Sequence, residues 1–220
     1  LQLLNILFLE LVLMKKNKKG LFLTFEGPEA SGKSTQIKLL KNYFLKNKIK
    51  LLVTREPGGT LISEKIRKIL LSKKSKINET EEILLLMASR LNHINTIIKP
   101  ALEKGIIVIS DRFADSTFVY QGYVNKFGLQ KSINLHKKIL NNFLPKKTFL
   151  FILPPKEIIK RLKKRKKFNK YDKIDLNFHQ KIILGYKKIS KSNNRFININ
   201  ANLPEIIIHK KIIKTIDKLI

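Results

Sequence analysis

The chain contains no cysteine. That excludes a disulfide framework and any thiolate metal site, and it is consistent with a reducing cytoplasm. No apolar run is long enough to span a bilayer; the longest, residues 1–13 (LQLLNILFLELVL), falls short of the roughly 20 residues a helix needs. The same run lacks the positive n-region and small-residue cleavage site of a signal peptide. It precedes Met14, so the expectation is a misplaced translation start with Met14 as the true first residue. Acidic residues are scarce, 16 against 46 basic ones, which gives a net charge of +30. Such a balance suits a nucleic-acid or membrane-surface partner. However, aromatics interleaved to stack bases are not evident. The excess is almost all lysine, in a chain also rich in Ile, Asn and Phe, and A/T-biased codons account for that mixture. The expectation is therefore no nucleic-acid partner and no membrane partner.

Arginine is also scarce. There are seven, against 39 lysines. Where lysine is the background cation, each arginine marks a place that needs a planar, bidentate fork. Arg55, Arg90, Arg112, Arg161 and Arg165 fall in motifs. Arg67 and Arg195 do not, and are expected to be surface residues.

What is present centres on Gly27-Pro28-Glu29-Ala30-Ser31-Gly32-Lys33-Ser34, followed by Thr35. This fits G-x-x-x-x-G-K-[ST], the P-loop. The glycines allow a tight turn that aims N–H groups at phosphate oxygens. Lys33 can reach the β- and γ-phosphates, and the Ser34 hydroxyl can ligate Mg²⁺. The motif needs a strand before it and a helix after it. Leu21–Phe25 reads as a buried strand, and Thr35–Leu45 places Ile37, Leu40, Tyr43 and Phe44 on one helical face. The alternative is a glycine-bearing surface loop.

Further strands are expected at 50–54, 106–110, 148–153 and 196–199. Helices are expected at 61–71, 79–103 (bent near Pro100), within 115–142, and at 156–167, 177–189 and 204–220. Strands alternating with helices give an α/β three-layer fold with a five-stranded parallel sheet. With no repeat or interdomain linker, residues 14–220 are expected to form one domain. Ligands of such sheets sit at the C-terminal strand ends. Asp111 closes the most apolar strand, where it can hold Mg²⁺ directly or through water; the other reading is a loop cap. Arg55 follows another strand end and can clamp a second phosphate group. The basic helix carrying Arg161 and Arg165 reads either as a lid at about 161–177, closing over a transferring phosphoryl group, or as a solvated face.

These motifs together resemble the thymidylate kinases, of the bacterial type with catalytic arginines in the lid. The resemblance runs from about Gly20 to Ile220. It rests on the run from Phe25 to Thr35, on Thr54-Arg55-Glu56-Pro57-Gly58-Gly59-Thr60, on Ser89-Arg90 with His93, and on Asp111-Arg112-Phe113 leading to Ser116, Tyr120 and Gln121. The second is the most specific. The resemblance implies transfer of a phosphoryl group from ATP, with Mg²⁺, to dTMP, in a cytoplasmic homodimer. It implies that residues 27–35 bind ATP, that Ser34 and Asp111 hold the metal, and that Lys33, Arg112, Arg161 and Arg165 are catalytic. It further implies that Glu29 meets the deoxyribose 3′-hydroxyl, that Arg55 and Arg112 hold the dTMP phosphate, and that Arg90 donates to thymine O4. Tyr120 would lie against the sugar, Gln121 would reach the base, and Pro57 would follow a cis peptide. Two positions depart from the family. Leu86 stands where an aromatic often stacks on the base. Ser89 replaces an aspartate, so Arg90 is expected to lack the partner that fixes its rotamer. The rivals are a kinase of another nucleoside monophosphate, a nucleic-acid-stimulated P-loop ATPase, and a chain whose activity has decayed.

Overall fold

In the computed structural model, described for residues 20–72, 74–164, 175–191 and 193–220, five short strands form one parallel sheet. They are β1 (Phe22–Glu26), β2 (Leu51–Arg55), β3 (Ile107–Asp111), β4 (Lys147–Ile152) and β5 (Phe196–Asn200), in the order β2-β3-β1-β4-β5. Helices separate every pair: α1 (Lys33–Lys46), α2 (Leu61–Leu71), α3 (Glu79–His93), α4 (Lys99–Glu103), α5 (Ala114–Thr117), α6 (Leu129–Leu140), α7 (Pro155–Lys163), α8 (Leu176–Ser190) and α9 (Glu205–Ile216). The α/β expectation holds, with strand boundaries shifted by at most one residue, while α7 and α9 each end four residues before the expected ends at 167 and 220. Residues 1–13, Met14, Arg165 and most of the expected lid lie outside the described residues.

Alternation along the strands supplies both faces of the core. On one face Leu23, Phe25, Phe149 and Phe151 pack under Ile37, Leu40 and Phe44 of α1 and Ile208, Ile212 and Ile216 of α9. On the other, Phe22 and Val108 meet Ile83 and Met87 of α3, with Phe113 and Phe118. A third cluster joins Leu150 to Tyr120, Phe178, Ile182 and Tyr186.

The expected helix over 79–103 changes its winding. Asn78 opens α3 with a capping box: its Oδ1 accepts from the Thr80 and Glu81 N–H groups (both 2.9 Å), and Glu81 Oε2 accepts from the Asn78 N–H (2.7 Å). Residues Ile94–Ile98 then take a wider π-type turn before α4. The change precedes Pro100, which sits in the first turn of α4. A proline inside a helix offers no N–H and crowds the carbonyl four residues back, and a widened turn relieves that crowding. A second π-type stretch, Phe118–Val124, continues α5 and carries Tyr120 and Gln121.

The register brings the chemistry to one edge. Phe25 and Arg55 both pair with Asp111, so the ends of β1, β2 and β3 are level. The P-loop leaves β1 at the point where chain order reverses in the sheet, where a crevice opens.

Candidate active site

The crevice is a cavity of about 680 Å³. P-loop residues 29–35 form one wall, and Asp111, Arg112, Tyr120 and Gln121 another. Arg55, Leu86, Arg90 and Arg161 complete the set expected from the sequence. Gly27 and Pro28 are not among the lining residues; their carbonyls accept hydrogen bonds from Lys33.

The P-loop glycines serve different needs. Gly27 has φ of 133° and Gly32 has φ of 88°, both in the region that favours glycine. A Cβ on Gly27 would also collide with the Phe151 carbonyl, whereas one on Gly32 would meet nothing within 4 Å. Gly32→Ala is therefore expected to cost only the backbone penalty, about 1–2 kcal/mol. Gly27→Ala should cost clearly more, because β4 must move. Thermal denaturation of the two variants checks this; equal melting temperatures would contradict it.

Lys33 folds over the loop. Its Nζ donates to the carbonyls of Pro28 (2.7 Å) and Gly27 (3.1 Å) and to Ser31 Oγ (3.1 Å). Burial, then the nearby Arg112, push its ammonium down to about 8. Ser34 Oγ donates to Asp111 Oδ2 at 2.8 Å. A hydroxyl and a carboxylate thus meet beside the P-loop. That is a hard-oxygen donor set suited to Mg²⁺, which takes few protein ligands and completes its shell with water and phosphate.

Arg112 is held from several sides. Nη2 donates to Glu29 Oε1 at 2.6 Å. Nη1 donates to the Gly27 carbonyl (2.9 Å) and Ser116 Oγ (3.0 Å), with Tyr186 OH at 3.4 Å. Its guanidinium lies 5.4 Å from the centre of the Tyr120 ring. Arg161 donates to the carbonyls of Ala30 in the P-loop (3.4 Å) and Ala201 (3.1 Å).

The segment T-R-E-P-G-G-T is a brace between β2, α2 and α3. Thr54 Oγ1 meets His93 Nε2 at 2.7 Å. Arg55 pairs with Glu64 at 2.8 Å, and the same Glu64 oxygen accepts the Gly59 N–H at 3.0 Å. The Gly59 N–H, and then Arg55, hold the Glu64 carboxyl below its usual value. The Glu56–Pro57 peptide is cis, as the resemblance implies. Thr60 caps α2 by accepting from the Ser63 N–H (3.0 Å) and donates to Asn92 Oδ1 (2.6 Å).

Glu56 corrects the expectation about Arg90. Its Oε2 accepts from Arg90 Nε at 2.7 Å and its Oε1 from His93 Nδ1 at 3.0 Å. Arg90 Nη2 donates to Thr117 Oγ1 (2.8 Å) and the Phe113 carbonyl (3.3 Å). The rotamer is fixed without an acid at position 89. Among the described residues, Nη1 faces the Met87 sulfur, a weak acceptor, at 3.9 Å. Leu86 lines the cavity, whereas Met87 is buried in the core. Gln121 Nε2 donates to Glu82 Oε1 at 2.6 Å.

Two arginines expected at the surface are not simple surface groups. Arg195 grips Asp115 with both guanidinium nitrogens at 2.8 Å and stacks 4.4 Å from the centre of the Phe196 ring. Asp115 is buried and the two are 80 residues apart, so nothing local announced the pair. Arg67 lines the cavity and donates to the Pro57 carbonyl at 2.6 Å. Burial, then Arg55, lower its value. Its scarcity as an arginine, three residues after Glu64 on α2, was the available signal. Glu26, Glu56, Arg67, Thr117, Glu82, Phe113 and Ser116 are among the site residues to which the sequence assigned no role.

The family model for thymidylate kinase matches residues 25–212. The chain belongs to the thymidylate kinase family. The thymidylate kinase of Thermoanaerobacter sp. (strain X514) is 40% identical over 201 residues, covering 91% of this chain and 98% of that one. The thymidylate kinase of Mycoplasma capricolum is 42% identical over 200 residues, covering 89% and 94%. That of Caldanaerobacter subterraneus is 39% identical, covering 91% and 96%. The thymidylate kinase motifs read from the sequence thus line the crevice or brace its walls. Among the described residues, no helix is long and apolar enough to cross a membrane.

Proposed function

We propose that this chain transfers the γ-phosphoryl group of ATP to dTMP, giving dTDP and ADP. The observation that carries the reading is the convergence of Lys33, Arg112, Arg90 and Arg161 on one cavity, with Ser34 and Asp111 bonded to each other at its edge. In this reading the P-loop backbone and Lys33 hold the donor phosphates. Ser34 and Asp111 would hold Mg²⁺, which would supply charge neutralisation for the donor phosphates. Arg112, with Arg55, holds the acceptor phosphate in line, and Glu29 fixes Arg112 while facing the sugar. Arg161 and Arg165 offset charge on the transferring group. Arg90 Nη1 donates to thymine O4, with Leu86 as an apolar wall and Gln121 at the base edge. Tyr120 packs under the sugar. Catalysis is positioning and electrostatic stabilisation, with no covalent intermediate and no general base, because the acceptor oxygen is already ionised. The enzyme works in the cytoplasm as a homodimer. Exposed apolar residues on α2 (Leu61, Ile62, Ile69) and α3 (Leu84, Leu91), beside the sheet, support that pairing.

A coupled assay of ADP release, with ATP and Mg²⁺, tests the acceptor. Turnover is expected with dTMP and not with dCMP, because a cytosine amino group opposes the Arg90 donor. Turnover with several monophosphates would withdraw the base selectivity. ATP hydrolysis stimulated by nucleic acid, without turnover on any monophosphate, would withdraw the kinase reading.

A further inference from the structure

Glu26, the last residue of β1, is fully buried and has no place in the mechanism above. It is not among the residues that line the cavity. Yet its carboxylate accepts four hydrogen bonds. Oε1 takes the N–H groups of Phe113 (2.7 Å) and Ser116 (3.3 Å). Oε2 takes the hydroxyls of Ser116 (2.6 Å) and Tyr186 (2.9 Å). Four converging donors need an acceptor with four lone pairs and no hydrogen, which a carboxylate is and an amide is not.

All four donors bear on Arg112. Phe113 is its neighbour in the chain. Arg112 itself has φ of 72°, and its N–H donates to the Phe25 carbonyl at 3.0 Å. Phe25 and Glu26 therefore grip the backbone on both sides of a residue in an uncommon conformation. Ser116 Oγ and Tyr186 OH are also acceptors for Arg112 Nη1. Because each hydroxyl spends its proton on Glu26, each turns a lone pair toward the guanidinium. The chain runs in one direction, from Arg112 N–H through hydroxyl to carboxylate, and its links polarise one another. An amide at position 26 would donate to one hydroxyl and point that hydroxyl's proton at Arg112.

We infer that Glu26 is a positioning residue for Arg112, setting both its backbone and its guanidinium, and thereby the affinity for the monophosphate acceptor, without touching substrate. The inference rests on Arg112 being the ligand of the acceptor phosphate. It also makes acceptor binding depend on the ionisation of Glu26. Burial, and then the facing Asp115, push the Glu26 carboxyl up to about 7, against the pull of Arg112. Lys33 of the P-loop, Tyr120, Tyr186 of α8 and Arg195 also feel its charge.

The test is steady-state kinetics on the full chain, varying dTMP and ATP separately, for Glu26→Gln, Arg112→Ala, the double variant and Tyr186→Phe. Glu26→Gln is expected to raise KM for dTMP about tenfold, as for two mispaired bonds, with KM for ATP within about twofold. The same change in the Arg112→Ala background should leave KM for dTMP where Arg112→Ala puts it. Tyr186→Phe should act in the same direction and by less. The pH profile of kcat/KM for dTMP should lose an ionisation near neutrality in Glu26→Gln and keep that of the substrate phosphate. Equal effects in both backgrounds, or both KM values rising together, would mean a merely structural role and overturn the inference. If Glu26→Gln does not fold, an unchanged KM for dTMP in Tyr186→Phe overturns it instead. If Arg112→Ala itself leaves KM for dTMP unchanged, the reading of Arg112 fails first and the inference falls with it.

Discussion

Replacing Arg112 with alanine is expected to lower kcat/KM for dTMP by roughly 10²–10³, or about 2.7–4 kcal/mol of transition-state stabilisation. Three features make the effect large. The guanidinium is mostly shielded from water, with 15% of its side chain exposed, so its charge acts in a medium of low dielectric. It is held before substrate arrives, by Glu29, Gly27, Ser116 and Tyr186, so little reorganisation accompanies binding. Its removal also takes from Glu29 the guanidinium it pairs with, which leaves its negative charge less compensated beside a dianionic acceptor. Arg112→Lys should recover only part of the loss, because an ammonium cannot span Glu29 and the Gly27 carbonyl with a planar fork. Steady-state kinetics with dTMP varied would check both variants. A lysine variant equal to wild type would show that charge, and not the fork, is what the site uses.

The largest loss of stability is expected from Glu56→Ala. The pair Glu56–Arg90 is almost sealed from solvent, with side chains 4% and 2% exposed, and His93 beside it is 0% exposed. Removing one partner of a buried ion pair leaves an uncompensated charge and costs about 3–5 kcal/mol. For a chain of this size that corresponds to a fall in melting temperature of roughly 6–20 °C. Glu56→Gln should cost less, since an amide oxygen can still accept from one of the two partners. Both variants should also narrow the preference for dTMP over dCMP, because Glu56 holds the Arg90 rotamer. Thermal denaturation gives the first quantity and the ratio of kcat/KM values the second. A Glu56→Ala protein as stable as wild type would show that Arg90 finds another acceptor.

The two expected losses come from residues that look alike in the sequence, each an arginine or acid inside a short motif. The structure separates them. Arg112 lines the cavity, where the proposed acceptor would meet it; Glu56 holds Arg90 and His93 of the surrounding protein. The glycines and threonines of the same motif do neither, but hold β2, α2 and α3 at fixed distances through the contacts of Thr54, Gly59 and Thr60.

Much of the site was legible because it is short-range. The spacing of Gly27, Gly32, Lys33 and Ser34 is set by one turn of chain, and a phosphate cradle needs no distant residue to be recognised. The strands were legible because a fully buried parallel strand is a run of apolar and β-branched residues. The π-type turns at Ile94–Ile98 and Phe118–Val124 were not, because an apolar pattern is nearly the same at the two windings.

By itself, then, the sequence determined the P-loop, the strand-helix alternation and most of the cations that line the crevice, since each depends on residues close together in the chain. The tertiary structure alone decided who holds them. Arg90 finds Glu56 across 34 residues, Asp115 finds Arg195 across 80, and Glu26 finds Ser116 across 90 and Tyr186 across 160. Those partnerships follow from which strands lie side by side and which helix crosses each strand end, and a buried charge has no local signature until the chain closes around it.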